Sequence, residues 1–200
     1  FRAIRDRTLL EISFEPTTVL GLFGAVIFIR ICTAFPYYWL HRIQHEVLFW
    51  WRMHATHHHI TKMSFLRGAR THPFEYLALS FGRVMVMAFI GASDEVLAVS
   101  AVFGMMSGKF NHSNLPLKTL PVYDWVFATA PQHHVHHSLN RRQSDSNYGC
   151  YIILWDRIFG TYCADKSSDV KRVGAGKAVP LTIKEQLMLA LYPNKRLVDL

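Results

Sequence analysis

From Thr17 to Phe35 the chain reads TTVLGLFGAVIFIRICTAF, nineteen positions carrying a single charge at Arg30. A bilayer crossing takes about 20 apolar residues, so this run predicts a membrane helix over 17–35. The alternative reading is a buried helix of a soluble core. Pro36 predicts a break, because it lacks the N–H that a helix interior needs. The stretch YYWLHRIQHEVLFWWRMH behind it has helical character and places Tyr and Trp where a membrane interface would hold them. A second apolar block runs from Tyr76 to Ser107 and is interrupted by Gly91, Ser93, Asp94 and Glu95, a turn followed by a helix start. It predicts a helical hairpin over 76–107 with arms of about fifteen residues, short for a full crossing. From Lys166 the chain turns polar and mixed, and TIKEQLMLALYP, residues 182–193, predicts a last short amphipathic helix.

Composition sharpens this picture. Of 200 residues, 50% are hydrophobic and only 18% charged, which argues for one packed domain over 1–200 and against a disordered or collagen-like chain. The low charge also favours a membrane association. The net charge of +8 comes from Lys and Arg scattered beside the apolar runs (Arg42, Arg52, Arg67, Arg70, Arg141, Arg142) rather than gathered into a basic helix. That distribution speaks against nucleic acid as a partner and suits basic segments on the cytoplasmic face of a membrane protein. Three cysteines without CxxC spacing indicate neither a disulfide framework nor a thiolate zinc site, and suit a reducing compartment. The chain begins with Phe1 rather than Met, which leaves room for a preceding signal or span.

Twelve histidines are the compositional outlier. They gather in HRIQH (His41, His45), HATHHH (His54, His57, His58, His59) and HHVHH (His133, His134, His136, His137), and the spacing HxxHH occurs twice. On a helix, positions i, i+3 and i+4 share one face, so each HxxHH is expected to present three imidazoles together, and His41 with His45 two more. Eight imidazoles are too many for one tetrahedral ion, which takes about four ligands, so two metals are expected. Neutral imidazole suits Fe, Zn, Cu and Ni. Glu46, Glu75 and Asp156 are candidate carboxylates to orient ring N–H groups. His112, in FNHSN, falls where the apolar hairpin returns to the polar layer; His72, in RTHPFE, stands alone. His59 and His134 lie off the repeated spacing and read as flanking residues.

The ordered series HRIQH, HATHH, RTHPFE, FNHSN, HHVHH and NYGCYIILWDRIFGTY, spanning Tyr37 to Tyr162, resembles the fatty acid hydroxylase superfamily, also called the sterol desaturase family. The resemblance implies an all-α, membrane-embedded protein whose cytosolic histidine-rich cap holds a dinuclear non-haem iron centre, with zinc as a substitute metal. It places His41, His45, His54, His57, His58, His112, His133, His136 and His137 on the metal-binding motifs and His72 on an RxHP element, as ligand or supporting residue. It further implies O2-dependent hydroxylation of a lipid C–H bond, or desaturation at the same site. With no NAD, flavin or haem motif in the chain, electrons are expected from a partner such as cytochrome b5, or a ferredoxin with its reductase. A membrane zinc hydrolase would want an HExxH element, which is missing, and a metal transporter would place ligands within its crossing helices, whereas both apolar blocks lack histidine.

Overall fold

The computed structural model describes residues 16–115, 118–175, 182–188 and 191. The basic start of the chain and the end of the segment 182–193 lie largely outside them. Four helices form the body: α1 Val19–Glu46, α2 Leu48–His58, α3 Pro73–Ile90 and α4 Asp94–Asn111. Short helices complete the histidine-bearing end: α5 Pro121–Val126, α6 Ala130–His136, α7 Arg141–Ser144, α8 Leu154–Ile158 and α9 Ile183–Met188. Among the described residues no strand forms; isolated bridges join Phe127 to Ile152 and Ser138 to Val173.

Helix α1 begins where Thr18 accepts the Gly21 N–H at 3.0 Å, and it runs 28 residues straight through Pro36. The expected break at Pro36 is therefore corrected to Val47, whose extended backbone (φ −106°, ψ 115°) separates α1 from α2. Proline removes one rung of the ladder, the one to the Cys32 carbonyl, but packing on both sides of it keeps the helix whole. Tyr38, Thr33 and Ala34 are all buried against neighbouring elements. Arg30 is tolerated in the middle of this apolar helix because its guanidinium lies 3.5 Å over the Tyr151 ring. Gly104 of α4 makes the room, since a Cβ there would come within 2.6 Å of Arg30 Nη1.

The hairpin forms as the sequence predicts, with arms of 18 residues rather than fifteen. Gly91 closes α3 in the left-handed region at φ 73°, and Ser93 caps α4 through the Val96 N–H. Helix α1 packs on α2, α3 and α4. Ala25, Val26 and Ile29 meet Ala92 and Val96 in an apolar core at the hairpin turn, so the histidine end is left free for polar groups. The outward faces are apolar: Phe23, Ile27 and Ile31 on α1, and Leu77, Phe81 and Phe89 on α3, are all exposed. Helices α1 and α3 are long and apolar enough to cross a membrane.

Candidate metal centre

The histidines converge at the end of the bundle opposite the Gly91 turn. His41 and His45 come from the last turns of α1, His54, His57 and His58 from the end of α2, and His133, His136 and His137 from α6 and its C-cap. His112 caps α4, and its Nε2 lies 3.2 Å from His57 Nε2, so the hairpin leaves the histidine layer and returns to the same side. Nine rings form two groups, His41, His45, His54, His58 and His136 in one and His57, His112, His133 and His137 in the other, each with its ligand atoms within 4.8 Å of one another. The groups adjoin, with the His58 and His137 rings stacked at 4.3 Å.

The expectation that each HxxHH presents its three rings together is corrected here. His54 and His58 enter the first group while His57 enters the second; His133 and His137 enter the second while His136 enters the first. Helical geometry explains the division. At 3.6 residues per turn, positions i+3 and i+4 stand about 100° apart on opposite sides of position i. Each motif therefore lies between the two groups, giving an i, i+4 pair to one and its i+3 ring to the other.

What the outer ring nitrogens touch determines what the inner ones can do. The Nδ1 atoms of His41, His57, His112 and His136 face backbone carbonyls of Tyr148 (2.6 Å), Arg70 (2.9 Å), Gly108 (2.7 Å) and Ser146 (2.7 Å). A carbonyl only accepts, so each Nδ1 carries the proton and each Nε2 is left with its lone pair pointing inward. His54 Nδ1 meets Glu75 Oε1 at 2.5 Å, and His45 Nδ1 meets Asp145 Oδ1 at 3.3 Å. In the second group the inward Nε2 atoms approach at 3.1–3.2 Å, and His41 and His54 do so at 3.0 Å in the first. In the His57–His112 and His41–His54 pairs both Nδ1 atoms face acceptors, so two Nε2 lone pairs meet and cannot hydrogen bond.

A cation between them resolves the conflict. Ligands about 2.0 Å from one tetrahedral ion stand about 3.3 Å apart, close to the separations found here. The inward Nε2 atoms of His45, His58 and His136 are buried with no hydrogen-bond partner, which would cost about 1–3 kcal/mol each without a ligand. Burial also holds the imidazoles neutral, the form that binds metal. It lowers His54 and His112 to about 3 and His57 to about 4, and pushes His58, His133, His136 and His137 well below the ordinary value, with neighbouring histidines adding to the effect for all of these except His54. The residues thus fit two metal ions held by neutral imidazole.

The remaining sequence candidates fall outside the two groups. His72 caps α3, its Nδ1 accepting the Phe74 N–H (3.3 Å) and its Nε2 facing the Leu187 carbonyl (3.1 Å), so both ring nitrogens are engaged away from the inner layer. His59 lies beside Arg70, and His134 faces the Ser113 carbonyl at 3.0 Å. Glu46 pairs with Arg42 at 2.7 Å on the surface and touches no histidine; its place at the end of α1 turns it outward. Glu75 orients His54 directly. Asp156 acts at one remove: it accepts the N–H groups of Tyr148 (2.8 Å) and Gly149 (2.7 Å) and so fixes the Tyr148 carbonyl that His41 uses. Burial raises the Asp156 carboxyl to about 6 against these donors, leaving it ionised at neutral pH.

Sequence reasoning missed Asp145 and the four carbonyl acceptors. Asp145 lies 100 positions from His45, and a backbone carbonyl has no signature in a sequence.

The fatty acid hydroxylase family model matches residues 26–161, from within α1 to just past α8. Alkylglycerol monooxygenase of Xenopus tropicalis is 36% identical over 132 residues, 66% of this chain and 29% of that protein. Ornithine lipid hydroxylase OlsE of Rhizobium tropici is 31% identical over 137 residues, 66% of this chain and 40% of that protein. The human alkylglycerol monooxygenase is 33% identical over 68% of this chain and 30% of its own length. The chain thus spans less than half the length of these curated relatives, and no solved structure matches it. The matched stretch holds all nine converging histidines and the Asp156 turn behind them, and the chain belongs to the fatty acid hydroxylase family.

Proposed function

We propose that the chain is the catalytic domain of a membrane-bound, di-iron lipid hydroxylase that uses O2 and external electrons. The observation that carries this reading is the pair of adjoining histidine groups, each with its ligand atoms within 4.8 Å of one another, in which six rings turn Nδ1 to an outer acceptor. His41, His45, His54, His58 and His136 would hold one iron, and His57, His112, His133 and His137 the other. Bound there, two irons supply with O2 an oxidant able to break an unactivated C–H bond. The protein's part is to orient the rings through Glu75, Asp145 and the backbone carbonyls, and to keep water out of a layer whose imidazoles are at most 9% exposed. The relatives named as a monooxygenase and a hydroxylase of lipids support a lipid substrate.

In this reading the apolar faces of α1 and α3 sit in the bilayer, the histidine cap faces the cytosol, and substrate reaches the irons from the membrane side. The chain carries no redox cofactor motif, which supports an external donor such as cytochrome b5, or ferredoxin with its reductase. Reconstituted protein given iron, a reductase couple, a membrane lipid extract and isotopically labelled O2 should yield a lipid with one labelled hydroxyl. A lipid that loses two hydrogens without gaining label would make the enzyme a desaturase instead. A protease-sensitive tag in the cap should be cleaved from the cytosolic side of sealed vesicles; protection there would reverse the orientation.

A further inference from the structure

The short helix α9 is tied to the histidine-bearing end by side chains that belong to neither histidine group. Arg70 gives its carbonyl to His57 Nδ1 at 2.9 Å. Its guanidinium is gripped from two sides: Nε donates to Gln186 Oε1 at 3.2 Å, and Nη1 donates to the His59 carbonyl. The α9 backbone makes two more ties, accepting from Thr56 Oγ1 at the Gln186 carbonyl (3.4 Å) and from His72 Nε2 at the Leu187 carbonyl (3.1 Å). Thr56 stands next to His57 on α2, and His72 caps the helix whose Glu75 holds His54. These ties grip the cap at three points around the ligand-bearing turn of α2.

We infer that Gln186 is a positioning residue: by fixing the Arg70 side chain it holds the Arg70 carbonyl against His57 Nδ1, and so aims His57 Nε2 into the second histidine group. The inference rests on reading the two groups as metal sites. The His57 ring has one outer partner, and that partner belongs to a loop residue following the 3-10 turn Arg67–Ala69 rather than to a long helix. The Arg70 backbone has one tie of its own, its N–H to the Arg67 carbonyl at 3.0 Å, and the Gln186 amide adds a side-chain anchor supplied from more than a hundred positions away. Outer partners of ligating histidines typically alter metal affinity about 10–100-fold when lost, and an effect at one further remove should fall at the lower end of that range.

Metal-free full-length protein in detergent micelles, titrated with Co2+ and followed by its visible absorption, tests this. The wild type should take up two Co2+ per chain. Gln186→Met, which removes the acceptor while keeping the length, should weaken one of the two uptake steps about tenfold and leave the other unchanged. Gln186→Glu, which keeps an acceptor for Arg70, should restore both, and Lys184→Ala on the exposed side of α9 should match the wild type. Equal uptake by Gln186→Met and wild type overturns the inference alone, as does loss of both steps together, which would mark α9 as a general fold support. A wild type that takes up no Co2+ overturns the inference and the metal reading beneath it.

Discussion

A neutral imidazole has one N–H and one lone pair, so the partner of Nδ1 decides the use of Nε2. Six of the nine rings hand Nδ1 to a carbonyl or carboxylate, and the consequence is a set of inward lone pairs placed as a metal ion would need them. The division of each HxxHH between the groups makes this testable at single positions. His57→Ala should cost the second group its metal, and His136→Ala should cost the first group its metal, each leaving about one ion per chain by elemental analysis. His59→Ala should keep both ions, because the His59 carbonyl that Arg70 uses survives the change. Equal loss at His59 and His57 would show that α2 presents a different face to the metals.

At the scale of elements, the turn from Asn147 to Gly149 illustrates how backbone becomes part of the site. Asn147 adopts φ 53°, in the left-handed region, and its side chain bonds the Gln132 and Cys163 carbonyls. Gly149 packs so closely that a Cβ would lie 2.2 Å from the Ile152 carbonyl oxygen and 2.9 Å from Asp156 Oδ2. Gly149→Ala must therefore displace the turn, and with it the Tyr148 carbonyl that orients His41. The expected outcome is a fall in metal affinity of about 10–100-fold at the first group with the second group retained. Full retention of both ions in Gly149→Ala would show that the Tyr148 carbonyl does not set the His41 ring. The turn was legible as a family element and as a tight glycine turn, but its link to His41 was not, because that link runs through a main-chain oxygen 107 positions away.

For the whole molecule, burying this many neutral imidazoles has a thermodynamic cost that depends on pH. In the metal-free protein His54 and His112 titrate near 3 and His57 near 4, whereas an unfolded chain takes up these protons near 6.5. Between those values the unfolded state binds more protons, so stability rises with pH. It is complete above about pH 6.5 and is lost as the pH falls toward about 3 to 4. Metal-free protein in detergent should show its unfolding midpoint dropping steeply from pH 7 to pH 5, and bound metal should flatten that drop near neutrality by stabilising the folded, deprotonated rings. A midpoint independent of pH across this range in the metal-free form would mean that the rings are hydrated and not buried.

Local rules suffice for the long apolar helix, the Gly91 hairpin, the i, i+4 pairing of His41 with His45 and the presence of enough imidazole for two metals. Each of these rests on residues a few positions apart, so the order of amino acids determines it without reference to the rest of the fold. Pro36 marks the limit of such rules, since its local preference for a break lost to packing along both halves of α1. Tertiary structure alone decided which rings share a group, that Glu75 and Asp145 rather than Glu46 meet histidines, and that His72 serves α3 and α9 instead of the inner layer. The reason is physical: sorting rings into two groups depends on how α1, α2, α4 and α6 are rotated against one another. The acceptors that set ring orientation are mostly backbone carbonyls, which every residue carries and only the fold can aim.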